Sequence, residues 1–155
     1  MSELNRRGFM TLSVAALTVA TLARTKPVLA SNATSIKVYK SPLCGCCGAW
    51  VENLSEFGFE IDVTNMEDVT PVKRHFGVGE DLYSCHTAVF DGYVIEGHVP
   101  AADIERLILE RPKAIGLAVP GMPIGSPGME QGDEKEPFDV VLFDKTSRWV
   151  FSSYR

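Results

Sequence analysis

Four cysteines carry most of the reactive chemistry in this chain. Three fall within four residues, as Cys44-Gly45-Cys46-Cys47, and the fourth, Cys85, stands beside His86. A thiolate is both a nucleophile and a soft ligand, so such a cluster supports two chemistries. Cys44 and Cys47 make a C-x-x-C pair suited to thiol–disulfide exchange, with Cys44 attacking and Cys47 resolving. The same sulfurs are suited to chelating a soft ion. Cys46 tips the balance toward chelation. A two-thiol oxidoreductase has no use for a third thiol that competes for the disulfide, whereas a polynuclear thiolate site gains a bridging sulfur. Cu(I) is the first choice, being thiophilic and tolerant of low coordination numbers, and several ions fit such a cluster. Zinc is the second, because cysteine with histidine gives a tetrahedral site.

Further donors lie along the chain. Cys85-His86 would face the C-x-x-C corner if the fold carries it there; the alternatives are a small buried apolar side chain or a structural disulfide with the cluster. His98 is either a ligand or a surface or capping group. Met122 and Met129 sit in a Gly/Pro-rich stretch, where a thioether either binds Cu(I) or anchors the loop by packing. His75, beside Arg74, reads as exposed, and Met66 as ordinary packing.

The elements that must position these residues are legible in outline. Ile36 to Tyr39 alternates and predicts a strand, after which Lys40-Ser41-Pro42-Leu43 is a loop. A helix starting at Cys46 or Cys47 places Trp50, Val51, Leu54 and Phe57 on one face and stops at Gly58. Phe59 to Val63 predicts a second strand. Thr70-Pro71 predicts a helix start with Thr70 as cap. Asp91-Gly92 between two apolar runs predicts a tight hairpin, and Pro100 opens a helix with Ile104, Leu107 and Ile108 inward. The order β-α-β-α-β-β-α is that of an α/β, thioredoxin-like mixed sheet with flanking helices, whose first strand–helix junction carries the active thiols. Ala114 to Pro137 holds too much Gly and Pro for either period and reads as one long loop. Val140 to Phe143 and Trp149 to Phe151 predict a last hairpin.

The N-terminus reads as an address rather than as fold. Residues 1–30 combine a charged start, an apolar run from Met10 to Ala23 and a small-residue end at Val28-Leu29-Ala30. Asn5-Arg6-Arg7-Gly8-Phe9-Met10 resembles the twin-arginine export signal, which implies passage of a folded domain, residues 31–155, through the twin-arginine translocase to the periplasm. There, disulfides persist. Loss of Arg6, Arg7, Arg24 and Lys26 against Glu3 makes this domain more acidic than the whole chain, whose net charge is −5. Such a surface excludes nucleic acid as a partner. No phosphate loop, triad or acidic dyad supports a kinase or hydrolase.

The longer motifs resemble a known family. Cys-Gly-Cys-Cys-Gly-Ala-Trp, Ser84-Cys85-His86-Thr87-Ala88, Gly92 through Pro100 and Gly116 through Glu130 are similar to the CopG-like periplasmic copper-resistance proteins, over roughly Ile36 to Tyr154. The resemblance implies a thioredoxin-like fold, several copper ions held by clustered cysteines, and a copper-redox role in resistance. By motif position Cys44, Cys46, Cys47 and Cys85 match the family's cysteines, and His86, His98, Met122 and Met129 fall within its motifs. Partners implied are copper ions and periplasmic copper-handling or electron-transfer proteins. The rival readings are a periplasmic thiol–disulfide oxidoreductase and a passive copper or zinc store.

Overall fold

The computed structural model describes residues 35–155. The expected export signal, residues 1–30, lies outside the described residues. The elements run β1 (Ile36–Lys40), α1 (Gly45–Phe57), β2 (Ile61–Asn65), α2 (Thr70–His75), a 3₁₀ turn (Glu80–Leu82), β3 (His86–Phe90), β4 (Tyr93–Glu96), α3 (Ala101–Glu110), β5 (Gly116–Ala118), β6 (Phe138–Phe143) and β7 (Arg148–Tyr154). The fold is α/β, as expected: the described residues form one seven-stranded mixed sheet in the order β2-β1-β3-β4-β5-β6-β7, with three helices. β1/β2 and β4/β5 are parallel, and the other pairs are antiparallel. Among the described residues no helix is long and apolar enough to cross a membrane.

The two faces of the sheet bury different clusters. One face packs Ile36, Val38, Ala88 and Ile95 against Trp50 and Leu54 of α1 and Ile104 and Leu107 of α3. The other packs Val94, Ala118 and Phe143 against Val78 and Leu82, beside the 3₁₀ turn. Burial of this apolar surface drives the assembly, and strand alternation sorts side chains between the two faces.

Several boundaries differ from the sequence expectation, each for a local reason. β2 begins at Ile61, because Phe59 completes the end of α1: its N–H bonds Leu54 O (3.1 Å) while Gly58 turns left-handed. Thr70 is the first residue of α2 rather than its cap. The Asp68 carboxylate accepts the Thr70 N–H at 2.8 Å instead. The Asp91-Gly92 turn has positive φ at both positions, 51° and 87°, as a tight hairpin requires. β4 ends at Glu96, so His98 leaves the sheet. The long loop is shorter than expected, because Gly116–Ala118 is a strand between β4 and β6. Three residues are too few to display a period.

Candidate metal centre

The sulfur cluster is built by α1 and by the segment entering β3. Cys44 is the residue before α1, in extended backbone, and its carbonyl accepts the Gly48 N–H at 3.2 Å. Cys46 and Cys47 lie in the first turn of the helix. Cys47 is fully buried; Cys44, Cys46 and Cys85 are half-buried. Cys44 and Cys47 are joined in a disulfide, and Cys46 and Cys85 are free. A disulfide between Cys85 and the cluster is thereby ruled out for this form of the protein. Cys46 Sγ lies 3.4 Å from Cys44 Sγ, and Cys85 Sγ lies 3.4 Å from Cys47 Sγ and 3.9 Å from Cys46 Sγ. The four sulfurs all lie within 4.8 Å of one another.

Both predicted histidines reach Cys85. His98 is fully buried, not a surface group, and its Nε2 lies 3.0 Å from Cys85 Sγ. Its Nδ1 lies 2.8 Å from Pro127 O. A carbonyl only accepts, so Nδ1 carries the proton and the Nε2 lone pair faces the sulfur. His86 Nδ1 lies 3.4 Å from the same sulfur, and its ring packs on Trp50 at 4.3 Å. Trp50 in turn donates Nε1–H to Val99 O at 2.9 Å. Cys85, His86 and His98 form a second group whose donor atoms lie within 4.8 Å of one another.

Burial sets the charge states. It pushes the Cys85 thiol up to about 12, reinforced by neighbouring Cys46. It holds His86 well below the usual imidazole range, helped by His98 and Lys73, and lowers His98 against the opposing pull of Pro127 and Glu130. The resting site is a neutral thiol between neutral imidazoles.

The donor set suits a soft or borderline ion: sulfur and imidazole nitrogen converge with no carboxylate among them. His86 Nε2 is buried with no hydrogen-bond partner. Its Nδ1 is the nitrogen that faces Cys85, so an ion taken there would leave Nε2 carrying the ring proton. In the disulfide form two of the four sulfurs are unavailable as thiolates, so the full set requires reduction.

The Gly/Pro-rich loop closes against this corner. A Cβ on Gly128 would meet Trp50 N at 2.6 Å and Cys46 O at 2.7 Å, so the loop backbone rests on the first turns of α1. Met129 follows it, half-buried, while Met122 is 52 % exposed. His75 is exposed, as read from sequence.

Behind the site lies a network that the sequence reading did not single out. Lys73 and Glu96 are 3 % and 0 % exposed and pair at 2.6 Å, with Thr87 and Ser84 bonded to the same carboxylate. The available signal was Glu96, one charge in the otherwise apolar run Tyr93-Val94-Ile95.

A sulfur-rich, imidazole-backed corner on a mixed sheet defines a small α/β protein with a soft-donor site able to hold metal. Residues 82–129 match the family model described as "Protein of unknown function, DUF411". Two solved structures, both of a copper resistance protein CopG, are similar over nearly their whole length. Form 2 is 43 % identical with a TM-score of 0.75, covering 78 % of this chain and 98 % of that one. Form 1 is 43 % identical with a TM-score of 0.74, covering 79 % and 98 %. No curated protein gives a significant match. The chain belongs to the copper resistance protein CopG family.

Proposed function

We propose that the protein binds copper in a copper-resistance role, taking Cu(I) on Cys44, Cys46, Cys47 and Cys85, with His86 and His98 beside Cys85. The observation that carries this reading is the convergence of Cys46 and Cys85 on a pair that would need neither for disulfide exchange. The relatives named for copper resistance support copper over zinc. A thiolate shared between two ions lets four sulfurs hold more than one copper. Met122 and Met129 are proposed as auxiliary thioether ligands brought by the loop.

A redox role fits the Cys44–Cys47 disulfide. Closing the pair withdraws two thiolates, and opening it restores the four-sulfur set, so copper loading and the thiol redox state are coupled. The half-buried Cys44 is the access point, and partners in copper handling or electron transfer would meet it there. The order β2-β1-β3-β4 with α1 leading from β1 to β2 supports a thioredoxin-like ancestry for the corner. Residues 1–30 are proposed as a cleaved twin-arginine signal delivering residues 31–155 to the periplasm.

The second reading, a thiol–disulfide oxidoreductase, is favoured by that same disulfide. Anaerobic Cu(I) titration of reduced residues 31–155, followed by elemental analysis, separates the two. Tight binding of one or more coppers per chain is expected. Less than one, with disulfide exchange that survives Cys46→Ser and Cys85→Ser, would establish the oxidoreductase.

A further inference from the structure

Ser84 and Cys85 precede the paired residues of β3, whose ladder to β1 starts at His86 and whose ladder to β4 starts at Thr87. Strand pairing therefore does not fix the backbone that carries Cys85. A side chain does it instead. Glu96 Oε1 accepts the Ser84 N–H at 2.7 Å, and Glu96 Oε2 accepts the Thr87 hydroxyl at 2.7 Å. The carboxylate thus grips both sides of Cys85-His86. Lys73 Nζ, arriving from α2, donates to Glu96 Oε1 at 2.6 Å and to Thr87 Oγ1 at 3.0 Å. The Ser84 hydroxyl bonds Gly121 O, and the Gly97 N–H bonds His86 O at 3.1 Å, so the segment is held along its length.

Two features separate this network from ordinary core packing. A fully buried ion pair is a poor source of stability, because desolvating both charges offsets their attraction. The network also lies on the sheet face opposite the donors. Thr87 and Glu96 alternate with Ala88 and Ile95, which belong to the cluster beneath Trp50, the residue His86 stacks on. The grip comes from behind and leaves the front face to sulfur and imidazole.

We propose that Lys73, Glu96 and Thr87 are positioning residues that hold Cys85 and His86 in the geometry of the metal site before metal arrives. The proposal rests on the copper reading for its purpose and on the network's geometry for its effect. Outer-shell hydrogen bonds of this kind fix ligand orientation, and losing them lowers metal affinity about 10–100-fold.

The test uses residues 31–155 with three changes: Lys73→Met with Glu96→Gln, which removes both charges at similar volume; Thr87→Val, which removes one clamp without a charge; and Thr87→Ser, which restores the hydroxyl. Cu(I) affinity of the reduced protein, by competition with a chromogenic chelator, should fall about 10–100-fold in the double variant. Thr87→Val should show a smaller loss and Thr87→Ser should recover it. In the metal-free disulfide form, alkylation resolved by residue should speed up about tenfold at Cys85, as expected for local opening, while Cys46 is unchanged. A general loss of structure would accelerate both. Affinity and Cys85 reactivity matching wild type in Thr87→Val and the double variant would overturn the proposal. If the double variant does not fold, Thr87→Val decides. If wild type itself fails to bind copper, the copper reading falls while the alkylation rates still judge the positioning role.

Discussion

Cys85 Sγ lies 3.4 Å from Cys47 Sγ across a sequence separation of 38 residues. With Cys46 Sγ at 3.4 Å from Cys44 Sγ, each half of the disulfide has a free thiol against it. The metal-free protein therefore has two ligand capacities. The oxidised form should show two titratable thiols under denaturing, non-reducing conditions, and the reduced form four. Copper capacity should rise on reduction. Peptide mapping should place the bridge at Cys44–Cys47, and a Cys46–Cys85 bridge as the first to form would contradict this arrangement.

His98 is the imidazole whose orientation is fixed at both nitrogens, by Pro127 O and by Cys85 Sγ. Removing it in His98→Ala should weaken Cu(I) binding about 10–100-fold, as loss of a ligand or its oriented partner does. His75→Ala, on an exposed site, should leave affinity unchanged. Chelator competition on the two variants side by side checks both statements, and equal affinities would remove His98 from the site.

Burial gives the metal-free protein an acid-sensitive corner. The folded-state pKa values of His86 and His98 are depressed below their ordinary 6.5, so the unfolded chain takes up these protons first. Their contribution to stability is complete above about pH 6.5 and is lost as pH falls from there toward the folded values. Thermal melts of the metal-free protein from pH 7.5 to pH 5 should show a falling midpoint, with a shallower slope in His86→Gln. Buried Glu96, whose carboxyl is raised, works in the opposite sense, so the comparison with His86→Gln decides: equal slopes would mean that burial does not hold His86 neutral.

Much of the fold was legible because its signals are local. Asp91-Gly92 specifies a hairpin by backbone preference alone, and Trp50 and Leu54 declare the inner face of α1 by spacing. The cysteine cluster was equally plain, since C-x-x-C with an inserted thiol is a short-range pattern. What escaped depends on contacts made at long range. β5 is a strand because β4 and β6 flank it, not because Gly-Leu-Ala prefers to be one. The Lys73–Glu96 pair needs α2 folded over the sheet before its two charges meet, 23 residues apart. His98 looked like either a cap or a ligand until Gly97 turned the chain and buried it beside Cys85.

The seat of the Gly/Pro-rich loop is a sterically defined contact, and it can be broken by one methyl group. Gly128 has φ +84°, and an added Cβ would lie 2.6 Å from Trp50 N, 2.7 Å from Cys46 O and 3.0 Å from Trp50 Cα. All three atoms are helix backbone and cannot move aside as a flexible side chain would. Gly128→Ala should cost about 1–3 kcal/mol through overpacking. It should also push Pro127 O off His98 Nδ1, releasing the ring orientation that faces Cys85. Gly45→Ala is the contrasting change in the same corner. Its Cβ would meet nothing within 4 Å, and it opens α1, where alanine is the better helix former. Thermal melts should therefore separate the two variants, with Gly128→Ala well below wild type and Gly45→Ala level with it or above. Copper affinity should follow the same order. A Gly128→Ala protein that melts with wild type would mean that the loop does not rest on the helix that carries Cys46 and Cys47.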